Sequence, residues 1–518
     1  MSRGQAAATG AKWRSWARPA LLLIPALFAL LALPLGSRHF HWDTLERAYL
    51  LEHSERYLRT WDGSPRSQFL SFAHVLELPM AAIVRAVLGG GPGLRALVFF
   101  EALAAAGALL LLGRLVRFWG GAKLAAIAAQ LLLSVTYGFW KMGSSGEERV
   151  VALATLLLFL FCYWGALAGE RRVAWVAPTL AFAILTHLSN VVLVPFALLS
   201  LLLLPQAWKP QRRALLGGVI LGAVVATGVY GVVAAWTTHV RTPLEFAEYL
   251  TFFHREEGNN FFGVPGSSRG IAACLFGILG FFSGSGPLAV VAVALLALST
   301  VAARASRRLG ASANAARPIC RRFLVLHACV LAGLWTLHFA FYEPFNVESW
   351  TVPATLFLLV ASALPWRGLV ATQAATALLL LFGNLSLFAK LHEPMPLARY
   401  HDVVRRSTSP DDIVLLVGGI QNGQPLRGSI SMRFFLAHER QRTLASLYDV
   451  MQVTDKEYWG RPLPSVETLQ RELAGGRRVW FPGFLRAEFD RANQSDRIQL
   501  EFVARGDSLF EITGAGRP

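Results

Sequence analysis

Cysteine is scarce in this chain, and charge is scarcer than in a water-soluble protein. The four cysteines, Cys162, Cys274, Cys320 and Cys329, lie in or beside apolar segments without metal-type spacing, which leaves no zinc site and no disulfide framework. Only 16% of the 518 residues are charged and 54% are hydrophobic, a balance that excludes an ordinary soluble protein of this length. Acidic residues are the rarer sign, 32 Asp and Glu against 49 Lys and Arg, for a formal charge of +17. The cations sit mostly in short connections between apolar runs. That placement is a topology signal and a means of meeting anionic lipid headgroups; it implies a membrane partner and no nucleic acid. Tandem repeats and low-complexity tracts are missing as well, apart from the Ala-rich apolar runs.

What is present is a series of membrane spans. The N-terminal stretch "MSRGQAAATGAKWRSWARPALLLIPALFALLALPLGS" has the charge of a signal peptide but no clear small-residue cleavage site, so it reads as an uncleaved first helix (19–35) with a cytoplasmic N-terminus. The next apolar stretch, 69–91, is interrupted by His74, Glu77 and Arg85. It reads as a helix lying in the outer interface, because crossing would put the cationic 114–123 outside. Further spans read at 95–113, 124–141, 149–168, 174–189, 190–207, 214–236, 286–303, 322–341, 350–365 and 369–389. The links "GERRVAW", "WKPQRRALL", "ARASRRLGASANAARPICRR" and "PWRG" then all fall inside, giving about eleven spans and an external C-terminus. The run 270–282 reads as either a re-entrant helix or a span.

After Lys390 the composition turns polar. The runs "DIVLLVG", "RTLASLY", "RRVWFPG", "LEFVA" and "SLFEI" read as strands among helix-like segments. The expected fold class is therefore an α-helical polytopic membrane protein (1–390) with interfacial helices and a small C-terminal α/β extracytoplasmic domain (391–518).

With this topology the unusual polar residues collect toward the outer face: Asp43, Glu46, His74, Glu77, Glu147, Glu148, His187, Asn190, His239, His254, Arg255, Glu343 and Glu348. Polar groups at a membrane are costly unless paired or functional. Bland explanations compete. Asp43 and Glu46 have capping-box spacing, as do Ser145 and Glu148, and a cap does not prevent Asp43 from facing a cavity. His187 fits a packing histidine, and the Arg255 segment "HREEGNN" fits a solvated loop. Glu101, inside a span, needs a partner, for which Arg85 is the candidate. Asn384-Leu-Ser matches a glycosylation sequon inside an apolar span, and Asn493-Gln-Ser matches one in the polar C-terminal part.

Taken in order, "DTLERAYLL" (43–51), "HVLELPMAAI" (74–83), "EERVVALATLLL" (147–158) and "LTHLSNVVLVP" (185–195) resemble a known family. It is the integral-membrane glycosyltransferases of the C-type fold, in the branch with D-x-x-E-F, H-P-P-G-Y-P-L-Y, E-V-Y-A-L and T-H-H motifs. "SISMRFFLAHERQRTLASLYDV" (429–450) resembles a segment of that branch's outer domain. The likeness covers the first part of the chain better than the rest. "HVLELP" lacks the double proline, Val150 or Val151 stands for the tyrosine of the acid motif, and Leu188 stands for the second histidine.

The resemblance implies a polyprenyl-phosphate-linked sugar donor, an acceptor that it does not name, and an extracytoplasmic site in the inner (plasma) membrane of a bacterium. Such chemistry needs a carboxylate to take the acceptor's proton and cations to meet the departing phosphate. Asp43 is the expected base, Glu46 a helper or cap, and Arg255 a phosphate contact. His74, Glu147, Glu148, His187 and Asn190 are expected to line the substrate site. The resemblance names no certain cofactor and leaves a divalent metal open, for which Asp43, Glu147 and Glu148 could supply oxygen ligands without a compact ligand motif. A transporter or flippase for a lipid-linked or small polar substrate is the alternative. It predicts midplane ionisable residues and paired broken helices in two related halves, and neither is evident in the sequence. A structural or sensory membrane protein is the third reading, in which His74, Glu147 and His187 would not converge.

Overall fold

The computed structural model describes residues 21–38, 44, 47, 48, 51, 75–169, 171–203, 211–238, 240–247, 250, 268–309, 318–342, 347–363 and 367–393. In the C-terminal part it describes 406, 407, 409, 412–416, 420, 421, 424, 425, 443–446, 470, 471, 473–483, 499–505 and 509–516. Asp43, Glu46, His74, His239, His254, Arg255, Glu343 and Asn493 lie outside the described residues.

The chain is mostly helical. The described helices are α1 (Leu23–Leu35), α2 (Glu77–Val87), α3 (Gly93–Phe118), α4 (Lys123–Ser134), α5 (Tyr137–Ser145), α6 (Arg149–Leu167) and α7 (Val176–Thr186). They continue with α8 (Leu193–Leu202), α9 (Arg212–Thr238), α10 (Ser268–Phe282), α11 (Gly286–Leu309), α12 (Pro318–Tyr342), α13 (Thr351–Ala363) and α14 (Arg367–His392). Among the described residues four helices are long and apolar enough to cross a membrane: Gly93–Phe118, Arg149–Leu167, Arg212–Trp236 and Val370–His392. Two more spans arise if each bent pair counts as one: α4 with α5, bent by 71°, and Ala272–Phe282 with Gly286–Val301, bent by 84°. Leu, Val, Phe and Ala cover the outward faces of these helices, with Phe276, Phe382 and Val232 among the exposed large side chains. Such a surface is suited to lipid and not to water.

Among the described residues the helices bend sharply at two places. The stretch 124–141 is not one straight span. It breaks at Val135–Thr136, where Thr136 is extended (φ −68°, ψ 143°) and a distant amide takes the Val135 carbonyl. The stretch 270–282 is helical and turns sharply at Ser283 into α11. Helix α2, with 11 residues, covers about 16 Å at the helical rise, roughly half of a bilayer core.

α6 lies at the centre, buried on nearly every side, and packs between α3 and α7; α1 packs on α3, and α14 on α4 and α11. Glycines permit the closest approaches. A Cβ at Gly143 would lie 2.8 Å from the Phe28 ring, so α1 and α5 touch there only because that atom is missing.

All five strand-like runs of the C-terminal part join one sheet. β1 (Ile413–Leu416), β4 (Thr443–Ser446), β5 (Val479–Pro482), β6 (Gln499–Ala504) and β7 (Leu509–Gly516) lie in the order β4-β1-β5-β7-β6, while β2 (Ile420–Gln421) and β3 (Gln424–Pro425) form a separate pair. β1 runs parallel to β4 and β5; β5–β7 and β7–β6 are antiparallel, with a bulge at Glu501/Phe502. Asp412 anchors the start of β1 to β5 by accepting from Trp480 Nε1 at 2.7 Å and Arg478 Nε at 3.2 Å.

Candidate active site

The site is built on the turn between α5 and α6. α5 ends at Ser145, and Gly146 takes the left-handed conformation (φ 81°, ψ 29°) that lets the chain reverse into α6. A Cβ there would come 2.8 Å from Thr44 Cγ2, so glycine also admits the segment that follows α1. The Gly146 carbonyl accepts from Thr44 Oγ1 at 3.2 Å and from Arg47 Nη2 at 2.9 Å. Thr44 and Arg47 are helical and one turn apart, so one face of the segment meets one carbonyl. Closer to α1, the Ser37 amide donates to Ser144 Oγ at 3.0 Å. Thr44 and Arg47 are thus held against the turn that carries Glu147 and Glu148.

Arg47 is the charged centre of this contact. Its guanidinium is buried, pairs with Glu77 at the head of α2, and lies 2.7 Å from the Glu148 carboxylate. Burial pushes Arg47 down, but Glu148 and Glu77, with Glu147 and Glu101 adding, hold its proton affinity above the ordinary arginine value. Burial pushes the Glu77 carboxyl up from the usual range; Arg47 opposes and Glu148 reinforces the rise. Glu101, expected to pair with Arg85, does not. Arg85 instead donates to the carbonyls of Leu51 at 2.6 Å and Gly91 at 2.8 Å. Glu101 faces the Glu77 carboxyl, and neither of its oxygens has a hydrogen-bond partner among the described residues.

His187 stands where α7 ends, in extended backbone (φ −154°, ψ 122°). Its Nε2 lies 3.1 Å from Arg149 Nη1, and its Nδ1 lies 2.7 Å from Ser189 Oγ. The Ser189 backbone N–H donates to the same Nδ1 at 3.1 Å, so His187 accepts there and caps the turn Leu188–Val192. Asn190 turns inward: its Nδ2 donates to Ala152 O at 3.1 Å and Ala183 O at 3.0 Å, fastening α6 to α7. Both N–H groups of that amide are committed to backbone, which makes Asn190 a support of the site wall.

Lys141, on α5, forms the other charged pair. Its Nζ lies 3.0 Å from Glu348, in the turn Val347–Trp350, and its side chain keeps 25% of its exposure. Lys141 also feels the Glu147 carboxylate. The residues that sequence reasoning missed are therefore cations. Arg47 was visible one helical turn after Asp43 in "DTLERAY", and Lys141 shortly before the acid pair in "WKMGSSGEE". Among the described residues no group of three His, Cys, Asp or Glu side chains is arranged for a metal, and Glu148 already faces Arg47.

Solved structures share this architecture. ArnT from Cupriavidus metallidurans bound to undecaprenyl phosphate superposes with a TM-score of 0.60 at 14% identity, over 96% of this chain and 97% of that one. This chain has the C-type glycosyltransferase fold. The apo oligosaccharyltransferase of Archaeoglobus fulgidus matches at TM-score 0.52 and 12% identity, over 98% of this chain and 75% of that one. The arabinofuranosyltransferase AftD from Mycobacteria matches at 0.52 and 13%, over 96% of this chain and 40% of that one. No family model and no curated protein matches the sequence. The four described helices long and apolar enough to cross a membrane agree with that fold.

Proposed function

We propose that the protein is a membrane glycosyltransferase that moves a sugar from a polyprenyl-phosphate donor to an acceptor hydroxyl at the outer face of the membrane. The docking of Thr44 and Arg47 onto the Gly146 carbonyl carries this reading, because it ties the segment containing Asp43 to the acid pair Glu147–Glu148 in a chain of the C-type fold. The undecaprenyl phosphate bound to the ArnT of the same fold supports a polyprenyl-phosphate donor.

In this reading Asp43 accepts the proton of the acceptor hydroxyl as its oxygen attacks the anomeric carbon. The bond from that carbon to the phosphate oxygen breaks, and its electron pair leaves with the polyprenyl phosphate. A single displacement inverts the anomeric configuration. Phosphate is a good leaving group, so the site needs cations more than a general acid. Lys141 is the candidate among the described residues, since its ammonium keeps partial exposure beside the Glu348 carboxylate; Arg255 is a second candidate. Arg47 and Glu148 orient the Asp43 segment, Glu46 helps or caps, and His74, Glu147 and His187 line the substrate, with Asn190 behind them. The full reading has about eleven spans, a transmembrane part at 1–390 in the bacterial inner membrane, and an extracytoplasmic domain at 391–518 that recognises the acceptor.

The test is Asp43→Asn, assayed for sugar transfer from lipid-linked donors in membranes. Loss of a general base lowers the rate by about 10²–10⁴, at unchanged protein level. Full activity would remove Asp43 as the base.

A further inference from the structure

Asn384 matches a glycosylation sequon, yet it is fully buried in α14 and hydrogen-bonded on every side. Its Nδ2 donates to the carbonyls of Val135 at 3.1 Å and Phe282 at 3.0 Å, and its Oδ1 accepts from Ser283 Oγ at 2.7 Å. Val135 closes α4 at the 71° bend into α5, and Phe282 closes α10 at the 84° bend into α11. A broken helix leaves carbonyls without an amide partner, and this single side chain supplies one N–H to each break. The network admits only a carboxamide: two donors must face two carbonyls, and one acceptor must face a hydroxyl. A carboxylate there would turn an oxygen toward each carbonyl.

The two arms that leave these breaks meet beside the candidate site. A Cβ at Gly138 of α5 would come 2.5 Å from the ring of Phe281 in α10. The Val347 methyl groups would lie 3.0 Å from a Cβ at Gly138 and from one at Gly280. Val347 is thus seated between α5 and α10, and the next residue is Glu348, the partner of Lys141 on α5. At its outer end the same helix, α14, takes the Arg38 amide on Leu391 O at 2.6 Å, with His392 Nδ1 3.1 Å from Gly36 O.

We infer that Asn384 is a positioning residue: by holding both helix breaks at once, it sets how α5 and α10 clasp Val347, and so places the Lys141–Glu348 pair. What that pair binds rests on the glycosyltransferase reading; the coupling of the two breaks does not.

Hydrogen exchange by mass spectrometry on the full-length protein in lipid nanodiscs tests the coupling, with Asn384→Ala, Asn384→Asp and the milder Ser283→Ala. Exchange should rise by about tenfold in Asn384→Ala, together at 136–140 and 283–289, because buried hydrogen bonds are lost at both breaks. Ser283→Ala should raise both segments by less. The KM for a polyprenyl-phosphate sugar should rise several-fold in the same variants, with kcat changed by less than about twofold. Exchange that rises at one break only, or at neither, overturns the clamp. Exchange that rises at both with KM unchanged overturns its link to Lys141. If the wild-type protein transfers no sugar while both breaks respond, the proposed function fails and the clamp stands.

Discussion

The Arg47 guanidinium lies 2.7 Å from the Glu148 carboxylate, with both side chains almost wholly buried. One cation thereby joins the segment after α1, the head of α2 and the turn before α6, since Glu77 accepts from Nη1 and the Gly146 carbonyl from Nη2. This is a structural use of arginine: a planar fork reaches three partners that a point charge would not.

Replacing Arg47 by alanine strands Glu77 and Glu148 in a buried site. Breaking one partner out of such a network costs about 3–5 kcal/mol, so Arg47→Ala should lower the thermal midpoint of the detergent-purified protein sharply or prevent its isolation. Arg47→Lys keeps the charge without the fork and should fall between. A stable alanine variant with unchanged melting would show that the segment is held by other contacts.

Stability should also depend on pH through Glu77. Its folded-state affinity for protons is raised, first by burial. Folding therefore favours the protonated form, and the associated stability is complete below the ordinary carboxylate range and is lost as pH rises through the folded value. Melting curves across that window should show decreasing midpoints for the wild type. Glu77→Gln mimics the protonated state, still accepts from Arg47, and should flatten the dependence. Parallel pH curves for the two proteins would remove Glu77 as its origin.

Lys141 and Glu348 separate charge from position. Lys141→Ala should raise the KM for a polyprenyl-phosphate sugar about tenfold, the scale of one lost charge-assisted phosphate contact. Reversing the pair, Lys141→Glu with Glu348→Lys, should keep the ion pair and thermal stability but not the donor KM. A reversed pair with wild-type KM would assign the lysine to packing alone.

Several of these features are legible along the chain. Apolar runs mark helices because a membrane helix satisfies its own backbone, so composition alone identifies them. The five alternating runs after Lys390 became the five strands of one sheet, since strand periodicity is local. Glu147, Glu148, His187 and Asn190 were all singled out, yet their partners were not. Glu101 was assigned to Arg85 by proximity along the chain, whereas Arg85 donates to the Leu51 and Gly91 carbonyls. The bend at Val135 carries no proline or glycine at the break, so nothing nearby announced it.

The membrane class, most helix positions, the strand set and the order of acid and histidine motifs follow from local residue order, because burial periodicity and hydropathy act over neighbouring residues. Tertiary structure alone decided which cation each buried carboxylate meets and where two long helices break. Those choices depend on satisfying a buried charge or an orphaned carbonyl, and the groups that do so, Arg47 for Glu148 and Asn384 for Val135 and Phe282, come from distant parts of the chain.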